Sequence, residues 1–491
     1  FNPSIPMTLI MIVPLLIVCA HHPVHEVPYE KGVSELIANP DEDFSVSWAP
    51  GSINTHNAFI LLDKTIKWVG KFSFKPFRKK AIKTAIKWVL DHQEDQGDWA
   101  GIQPAMFNSV LALKLSDYKD DDPIVVKAWE AIDRFCIYKG DSIVMQSCIS
   151  PLWDTGIACN ALMDAGLPKD HPAMIKAVKF FIRKQVVKRG DWQVKNPNAK
   201  PGGWAFEFYN ELYPDTDDTA EILMAINSIE FPDIRQKLKE SQRALSWLLS
   251  MQSKNGGWGA FDQDNDQELF NAIPFADHNA MLDPPTSDVT ARILWLLGIL
   301  GYSAEHPQVK KAINFLKNEQ ENDGSWFGRW GVNYIYGTFL TLNGLHSIGE
   351  DMKKGNIVKA AQWLKSKQNQ DGGWGETCAS YGDKKLAGVG ESTASQTAWA
   401  LLGLTVAGEA GSDQVTKGAE FLIKNQNKEG TWYEPQFTGT GFPEHFYIKY
   451  HMYQHYFPLM ALARYRHATQ NNNLEPRKEN LIKCSNFPKL S

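Results

Sequence analysis

Residues 360–375, AAQWLKSKQNQDGGWG, decide the fold of this chain. Apolar residues recur at helical spacing as far as Gln368, and Asp371-Gly372-Gly373 then stops the helix. Trp374 follows the glutamine by six residues, and Trp363 precedes it by five. The same frame recurs in Gln93 with Trp99, Gln252 with Trp258, Gln320 with Trp326 and Gln426 with Trp432. Gln185 reaches Trp192 with one extra residue. The aromatic five residues upstream is Trp88, Phe180, Trp247, Phe315 or Phe421 in these other units. Each unit reads as the end of an amphipathic helix, a glycine turn and a tryptophan able to fold back over the next helix start. The glutamine amide can bond backbone groups there.

Outward from these turns lie further helical stretches, such as SDVTARILWLLGIL (287–300) and TASQTAWALLGL (393–404), with alternating small and large apolar residues. Strand signals are almost absent, so an all-α chain is expected, with helix pairs repeating about every 50–90 residues. Repeats that each expose an apolar face must stack into an open superhelix or close into a toroid. A non-catalytic helical scaffold is the plain alternative.

With 491 residues, the chain is expected to hold about three domains or two large ones. A hydrophobic share of 43% against 22% charged excludes a disordered chain. A net charge of −5 leaves no global cationic field for nucleic acid. The six cysteines show no C-x-x-C spacing, and the thirteen histidines form no H-E-x-x-H, so neither disulfide framework nor zinc site is suggested. His21, His22, His445, His451 and His455 read as structural. Seventeen tryptophans beside 25 phenylalanines and 15 tyrosines point to heavy repetition or a π-rich cavity. The apolar run Ile5 to Cys19 reaches roughly 22 Å as a helix, short of the ~30 Å hydrocarbon core. Pro6 and Pro14 interrupt it, so a buried helix is expected. The chain starts at Phe1, which suggests a fragment or a processed product.

Chemistry enters at YPDTDDTAEIL, which places Asp215, Asp217 and Asp218 within four residues ahead of a helical run. Carboxylates suit a helix N-terminus, where they cap free amides. They can also bridge a magnesium ion carrying a diphosphate; a calcium loop fits less well, because no EF-hand glycine or distal glutamate is present. The third reading is an acid: three close carboxyls cannot all ionise cheaply, so one is left protonated and able to donate.

The six Gln-to-Trp units resemble the QW repeats of triterpene cyclases, and DTDDTA resembles the D-x-D-D-T-A motif of the squalene–hopene cyclase family. GDWAGIQPAMF, SPLWDTG, KPGGWAFEF, DPPTSDVTAR, FGRWGVNYIYGT and TGTGFPEHFYIKYHMY resemble that family in the same order, from about residue 10 to 465. Oxidosqualene cyclases carry cysteine where this chain has Asp217, so the squalene-type subfamily fits better. The resemblance implies two α/α-barrel domains around a central hydrophobic cavity, N-terminally truncated here because family members are longer. Residues 1–150 would belong to the membrane-side domain and 151–491 to the catalytic one. It also implies proton-initiated polycyclisation of squalene to hopene or hopanol, with no metal and no cofactor.

By resemblance, Asp217 matches the proton donor, with Asp215 and Asp218 as its neighbours. Arg292 falls where some members have a histidine that bonds the acid. An arginine is always charged and by itself lowers a nearby carboxyl's pKa. Pairing with Asp288, one turn earlier, or with Asp215 or Asp218, would leave Asp217 the protonated member. Tyr336 matches a tyrosine beyond the acid. Trp153, Phe206, Phe261, Trp330, Phe442, Phe446, Tyr450 and Tyr453 match aromatic cavity positions, and Met7 falls where the family has a further cavity tryptophan. Gln103 and Pro104 match the far end, where a polar network handles the terminal cation. Phe442, Phe446, Tyr450 and Tyr453 are spaced 4, 4 and 3, one face if the segment is helical. A π-lined wall stabilises cations without trapping them and excludes water.

Residues 58–90 interleave Trp68, Phe72, Phe74 and Phe77 with Lys64, Lys67, Lys71, Lys75, Arg78, Lys79 and Lys80, the composition of an interfacial anchor. A monotopic protein on the cytoplasmic side of the membrane is therefore expected, taking membrane-dissolved squalene, with a homodimer left open. The runners-up are a related class II cyclase of tetrahymanol, sporulene or diterpene diphosphate type, and a non-catalytic helical lipid-binding protein.

Overall fold

The glutamines and tryptophans of the repeats make recurrent backbone bonds in the computed structural model, which describes residues 9–24, 26–28, 48–51, 54–70, 76–267 and 282–471. The Gln368 amide donates to the Gly372 carbonyl at 2.8 Å and to the Gln414 carbonyl at 2.7 Å. The Trp374 indole N–H donates to the Leu364 carbonyl, ten residues back, at 2.7 Å. Gln93, Gln252 and Gln320 repeat the paired glutamine bonds. The indoles of Trp99, Trp258, Trp326 and Trp432 repeat the return bond. Each turn thus ties a helix end to the first turn of the next outer helix and answers backbone groups that burial would leave unpaired. Gly372 sits at φ +90°, and a Cβ there would lie 2.9 Å from the Lys417 carbonyl oxygen, which explains the glycine.

The second repeat departs from its expected spacing. Trp204, not Trp192, returns its indole N–H to the preceding helix, at the Phe181 carbonyl, 2.7 Å away. Gln185 likewise bonds the Gly202 carbonyl, 2.7 Å away, and that of Glu240. Partners therefore define the unit, with glycine two residues before the tryptophan, and thirteen extra residues are inserted between Gln185 and Gly202. Trp192 is fully buried in that insertion, edge-on to Trp247 at 5.9 Å.

The elements begin with α1 (Leu9–His21), α2 (Thr55–Gly70), α3 (Arg78–Asp91), α4 (Gln103–Lys114) and α5 (Pro123–Asp133). A hairpin of β1 (Cys136–Lys139) and β2 (Ser142–Met145) follows. Then come α6 (Pro151–Asp164), α7 (Pro172–Lys184), α8 (Thr216–Ser228), α9 (Ile234–Ser250), α10 (Ser287–Ile299) and α11 (Pro307–Asn318). The chain goes on through α12 (Tyr334–Ser347), α13 (Gly355–Ser366), α14 (Ala394–Leu404) and α15 (Asp413–Lys424). It ends in a second hairpin, β3 (Gly439–Phe442) with β4 (Phe446–Ile448), and α16 (Tyr453–Asn471).

The even-numbered helices from α6 to α16 pack each on the next, and α16 returns to α6, closing a ring. Helices α8, α10, α12 and α14 are buried almost all round, with apolar or small side chains on most faces and the site's charged residues on α8 and α10. The alternate helices α7, α9, α11, α13 and α15 bury one face each, against the outside of that ring. The all-α expectation holds, with the ring as its toroid. A second hydrophobic cluster, separate from that of the ring, joins α1, α3, α4 and α5 through Ile10, Val13, Val89, Met106 and Phe135. The apolar N-terminal run thus packs as a helix, with Ile10, Val13 and Ile17 buried. No helix among the described residues is long and apolar enough to cross a membrane. Met7, Phe72, Phe74, Lys71 and Lys75 lie outside the described residues.

The reading of Phe442 to Tyr453 as one helical face is corrected. Residues 439–448 form the second hairpin, and only Tyr453 begins a helix. Gly439, Gly441 and Pro443 disfavour a helix there. A Cβ on Gly439 would meet the Tyr450 ring at 2.4 Å, and one on Gly441 the Phe446 ring at 2.5 Å. The aromatic rings occupy the space that side chains at those positions would need.

Candidate active site

Asp215 caps the start of α8: its Oδ1 accepts from the Asp217 amide at 2.7 Å, and the Asp218 amide approaches it at 3.4 Å. The capping reading of the cluster is therefore correct for Asp215. That cap turns Asp217 and Asp218 onto the first turn, both buried. Burial first, then the charge of Asp217 on Asp215 and of Asp215 and Asp217 on Asp218, pushes both of these carboxyls well above the usual range. Asp217 is raised to about 7, burial outweighing the opposing pull of Arg292 while Asp288 and Glu221 add to the rise.

Arg292 is corrected in its partners. It reaches neither Asp288 nor Asp215 nor Asp218 but Asp217, whose Oδ1 lies 2.7 Å from Nε, and Glu221, whose Oε2 accepts from Nη1 at 2.6 Å. The Asp217 contact is ionic rather than hydrogen-bonded, since neither Nε–H nor Oδ1 finds an aligned partner. Asp288 is occupied elsewhere: its Oδ2 accepts from the Trp330 amide at 2.8 Å and its Oδ1 from the Val289 amide. The physical reason is register, because α10 lies alongside α8 and its inward arginine meets the α8 face that carries both Asp217 and Glu221. Nη2 donates to the Tyr336 hydroxyl at 2.7 Å, and the guanidinium carbon stands 4.8 Å from the Trp153 ring.

From this acid a cavity of about 1280 Å³, its mouth included, runs between the ring and the N-terminal cluster. All eight expected aromatic residues line it, with Asp215, Asp217 and Asp218. Trp153 donates its indole N–H to the Tyr453 hydroxyl at 3.1 Å, and Tyr450 and Tyr453 stack at 4.4 Å. Phe206 meets Tyr450 edge-on at 6.2 Å, Phe261 meets Trp330 at 5.9 Å, and Phe442 lies 6.0 Å from Phe446. Gln103 and Pro104 stand outside the lining, at the start of α4. Gln103 is tied there by its amide to the Ser147 carbonyl, and Ile102, Ser147 and Cys148 beside it face the cavity.

Chemically, this is a largely apolar space with a raised carboxyl at its wall and π faces around it. Such a space suits a proton donor and delocalised cations better than a charged substrate.

The model of the squalene-hopene cyclase C-terminal domain matches residues 149–467, and that of the N-terminal domain matches 9–141. The chain belongs to the squalene–hopene cyclase family. It is 44% identical to the squalene–hopene cyclase of Alicyclobacillus acidocaldarius over 94% of this chain and 72% of that protein. It is 42% identical to dammaradiene synthase of Dryopteris crassirhizoma over 95% of this chain and 71% of that protein. The squalene–hopene cyclase of Zymomonas mobilis is 41% identical over 84% of this chain and 64% of that protein.

Within this cyclase fold several polar residues escaped the sequence reading. Glu221 stands one helical turn after Asp217, and its i, i+4 spacing was the available signal. Asn160 of α6 donates to Glu221 Oε1 at 2.7 Å. Asp283 accepts the Ala260, Phe261 and Asp262 amides and so holds the loop that carries Phe261. Arg329 donates to the Gly441 carbonyl at 2.8 Å and stands over Trp330 at 4.4 Å, joining that wall to the second hairpin. No spacing announced Asn160, Asp283 or Arg329, since their partners lie far off in sequence.

Proposed function

We propose that this protein cyclises squalene to a pentacyclic triterpene, hopene or hopanol, with Asp217 as the acid. The observation that carries the reading is the buried Asp217 carboxyl, raised to about 7, on the wall of an aromatic cavity. The Asp217 O–H bond breaks as its proton adds to the terminal alkene, whose electron pair forms the new C–H bond. The tertiary cation left behind is attacked by the next alkene in turn. Ring closure ends when a proton is lost to give hopene, or when water adds and loses a proton to give hopanol. The Asp217 carboxylate regains its proton from solvent. Trp153, Phe206, Phe261, Trp330, Phe442, Phe446, Tyr450 and Tyr453 offer π faces to the moving charge. Asp215, Asp218, Asp288 and Tyr336 set the acid's surroundings, and Gln103 with Pro104 stands towards the closing end.

Dammaradiene synthase is among the relatives, which favours one second reading: the same initiation on a polyprene with another stopping point. We further infer a division into domains near residue 150, supported by the two hydrophobic clusters. Attachment to one face of a membrane, on the cytoplasmic side, is part of the same proposal. Its support is helix α2, which leaves Leu61, Leu62, Ile66, Trp68 and Val69 exposed beside Lys64 and Lys67. Incubation of the purified protein with squalene, followed by gas chromatography–mass spectrometry, tests the function. Hopene or hopanol is expected, and a different cyclic triterpene would support the second reading. Recovery of squalene alone would overturn both.

A further inference from the structure

A charged arginine against an acid that must keep its proton is a contradiction, and the neighbouring helix faces resolve it. Arg292 is fully buried, so its charge needs a counter-ion. Two carboxyls touch it. Glu221 accepts a well-aligned hydrogen bond from Nη1 at 2.6 Å with one oxygen, and from the Asn160 amide at 2.7 Å with the other. A carboxylate whose two oxygens both accept donors is the arrangement of an ionised group. Asp217 has Nε 2.7 Å away, yet the N–H does not point at its oxygen. One cation and two carboxyls are neutral when a single proton is held, and the poorer hydrogen bonding at Asp217 decides where it sits.

We propose that Glu221, held by Asn160, is the counter-ion of Arg292 and thereby a positioning residue that leaves the proton on Asp217. This rests on the reading of Asp217 as the acid. Arg292 then orients the carboxyl and the Tyr336 hydroxyl without stripping the proton. The ionisable groups around Asp217 are Asp215, Asp218 and Glu221 on its own helix, Asp288 and Arg292 on α10, and Tyr336 on α12. From α6, Asp154 acts on Asp218, and from α16, Tyr453 acts on Arg292. Among these, Arg292 is the cation, so the side on which its charge is answered governs the acid.

Infrared spectroscopy of the protein itself, without substrate, reads the proton directly. At pH 6 the protonated-carboxyl band that Asp217→Asn removes should be present in the wild type and lost in Glu221→Gln. It should return in Glu221→Gln/Arg292→Gln and persist in Arg292→Gln. Turnover of squalene by Glu221→Gln should fall about tenfold to a hundredfold at neutral pH and recover as pH falls, one unit of acid shift being tenfold. Glu221→Asp should restore part of it. If Glu221→Gln folds poorly, the wild type and Arg292→Gln decide: a band absent from the first and created in the second makes Asp217 the counter-ion and overturns the proposal. Retention of the band in a folded Glu221→Gln overturns it equally. A wild type that shows the band but leaves squalene unchanged would refute the cyclase reading while supporting the role of Glu221.

Discussion

Asp215, Asp217 and Asp218 share one helix start, whereas Glu94, Asp98 and Glu207 are gathered from two distant segments. The latter three nevertheless bring ligand atoms within 4.8 Å of one another, among the described residues. Glu94 is half-buried and the other five are buried, and in both groups burial is the first cause of raised carboxyl pKa values: Asp217 and Glu207 each reach about 7. The surroundings differ. Asp217 lines the aromatic cavity and touches Arg292. None of Glu94, Asp98 and Glu207 is among the cavity's lining residues. Arg134, which acts on Asp98, gives its Nη2 to the Gln96 carbonyl. A carboxyl that holds its proton near neutrality is therefore not enough to mark an acid catalyst. Access to an apolar space and a charge partner that orients the group separate the two.

The largest test of that contrast exchanges each acid for its amide. Asp217→Asn should lower cyclisation by about a thousandfold or more, since an amide cannot protonate an alkene and general acid catalysis supplies roughly 10²–10⁴-fold. Glu207→Gln should stay within about twofold of the wild type. Initial rates of product formation by proteins of matched circular dichroism measure both. Equal loss in the two variants would erase the distinction.

A smaller effect belongs to the walls. Phe446→Ala removes about 1–2 kcal/mol of cation–π attraction at one step, which slows that step about five- to thirtyfold. Partly cyclised products should then accumulate, and Phe446→Tyr should restore the flow better than Phe446→Leu. Phe135, buried in the cluster of α4 and α5, is not among the residues that line this cavity. Phe135→Ala should instead cost about 3–5 kcal/mol of stability and reduce every product alike. Product profiles of the two alanine variants decide whether the lining differs from ordinary core.

The sequence made one acid group visible and hid the other for the same reason. Asp215, Asp217 and Asp218 fall within four residues, so repulsion among them can be read directly. Glu207 lies 113 residues after Glu94, and only folding makes them neighbours. The Gln-to-Trp frame was legible because its indole bond and one glutamine bond are local, spanning ten and four residues, although the second glutamine bond reaches the next outer helix. It failed at Trp192, where an insertion moved the tryptophan but not its partners. Phe442 to Tyr453 mimicked helical spacing by coincidence, although all four residues still reach the cavity, two of them from a hairpin. Arg292 was placed near the acid correctly, but its choice of Glu221 over Asp288 depends on which faces α8 and α10 turn to each other.

The smallest effect is a pH dependence, and its sign separates the second acid group from the first. Glu207 rises from an ordinary 4.5 to about 7, through burial first and the charge of Asp98 next. Below pH 4.5 the folded and unfolded chains both hold the proton. Between pH 4.5 and 7 the folded chain keeps a proton that the unfolded chain has lost, so stability falls as pH rises. Above 7 the loss is complete, on the order of 3–4 kcal/mol at 1.36 kcal/mol per unit. Glu207→Gln has no proton to lose there, so its melting temperature should overtake that of the wild type progressively between pH 5 and 8. Asp217 contributes a similar fall to both proteins and cancels in the difference. Glu94, also raised well above its usual range, is relieved of one neighbouring charge by the substitution, which adds to the gain in the same direction. A wild-type-minus-variant difference that stays flat from pH 5 to 8 would mean that Glu207 is ionised throughout. The contrast between the two acid groups would then rest on protonation itself rather than on access to the cavity.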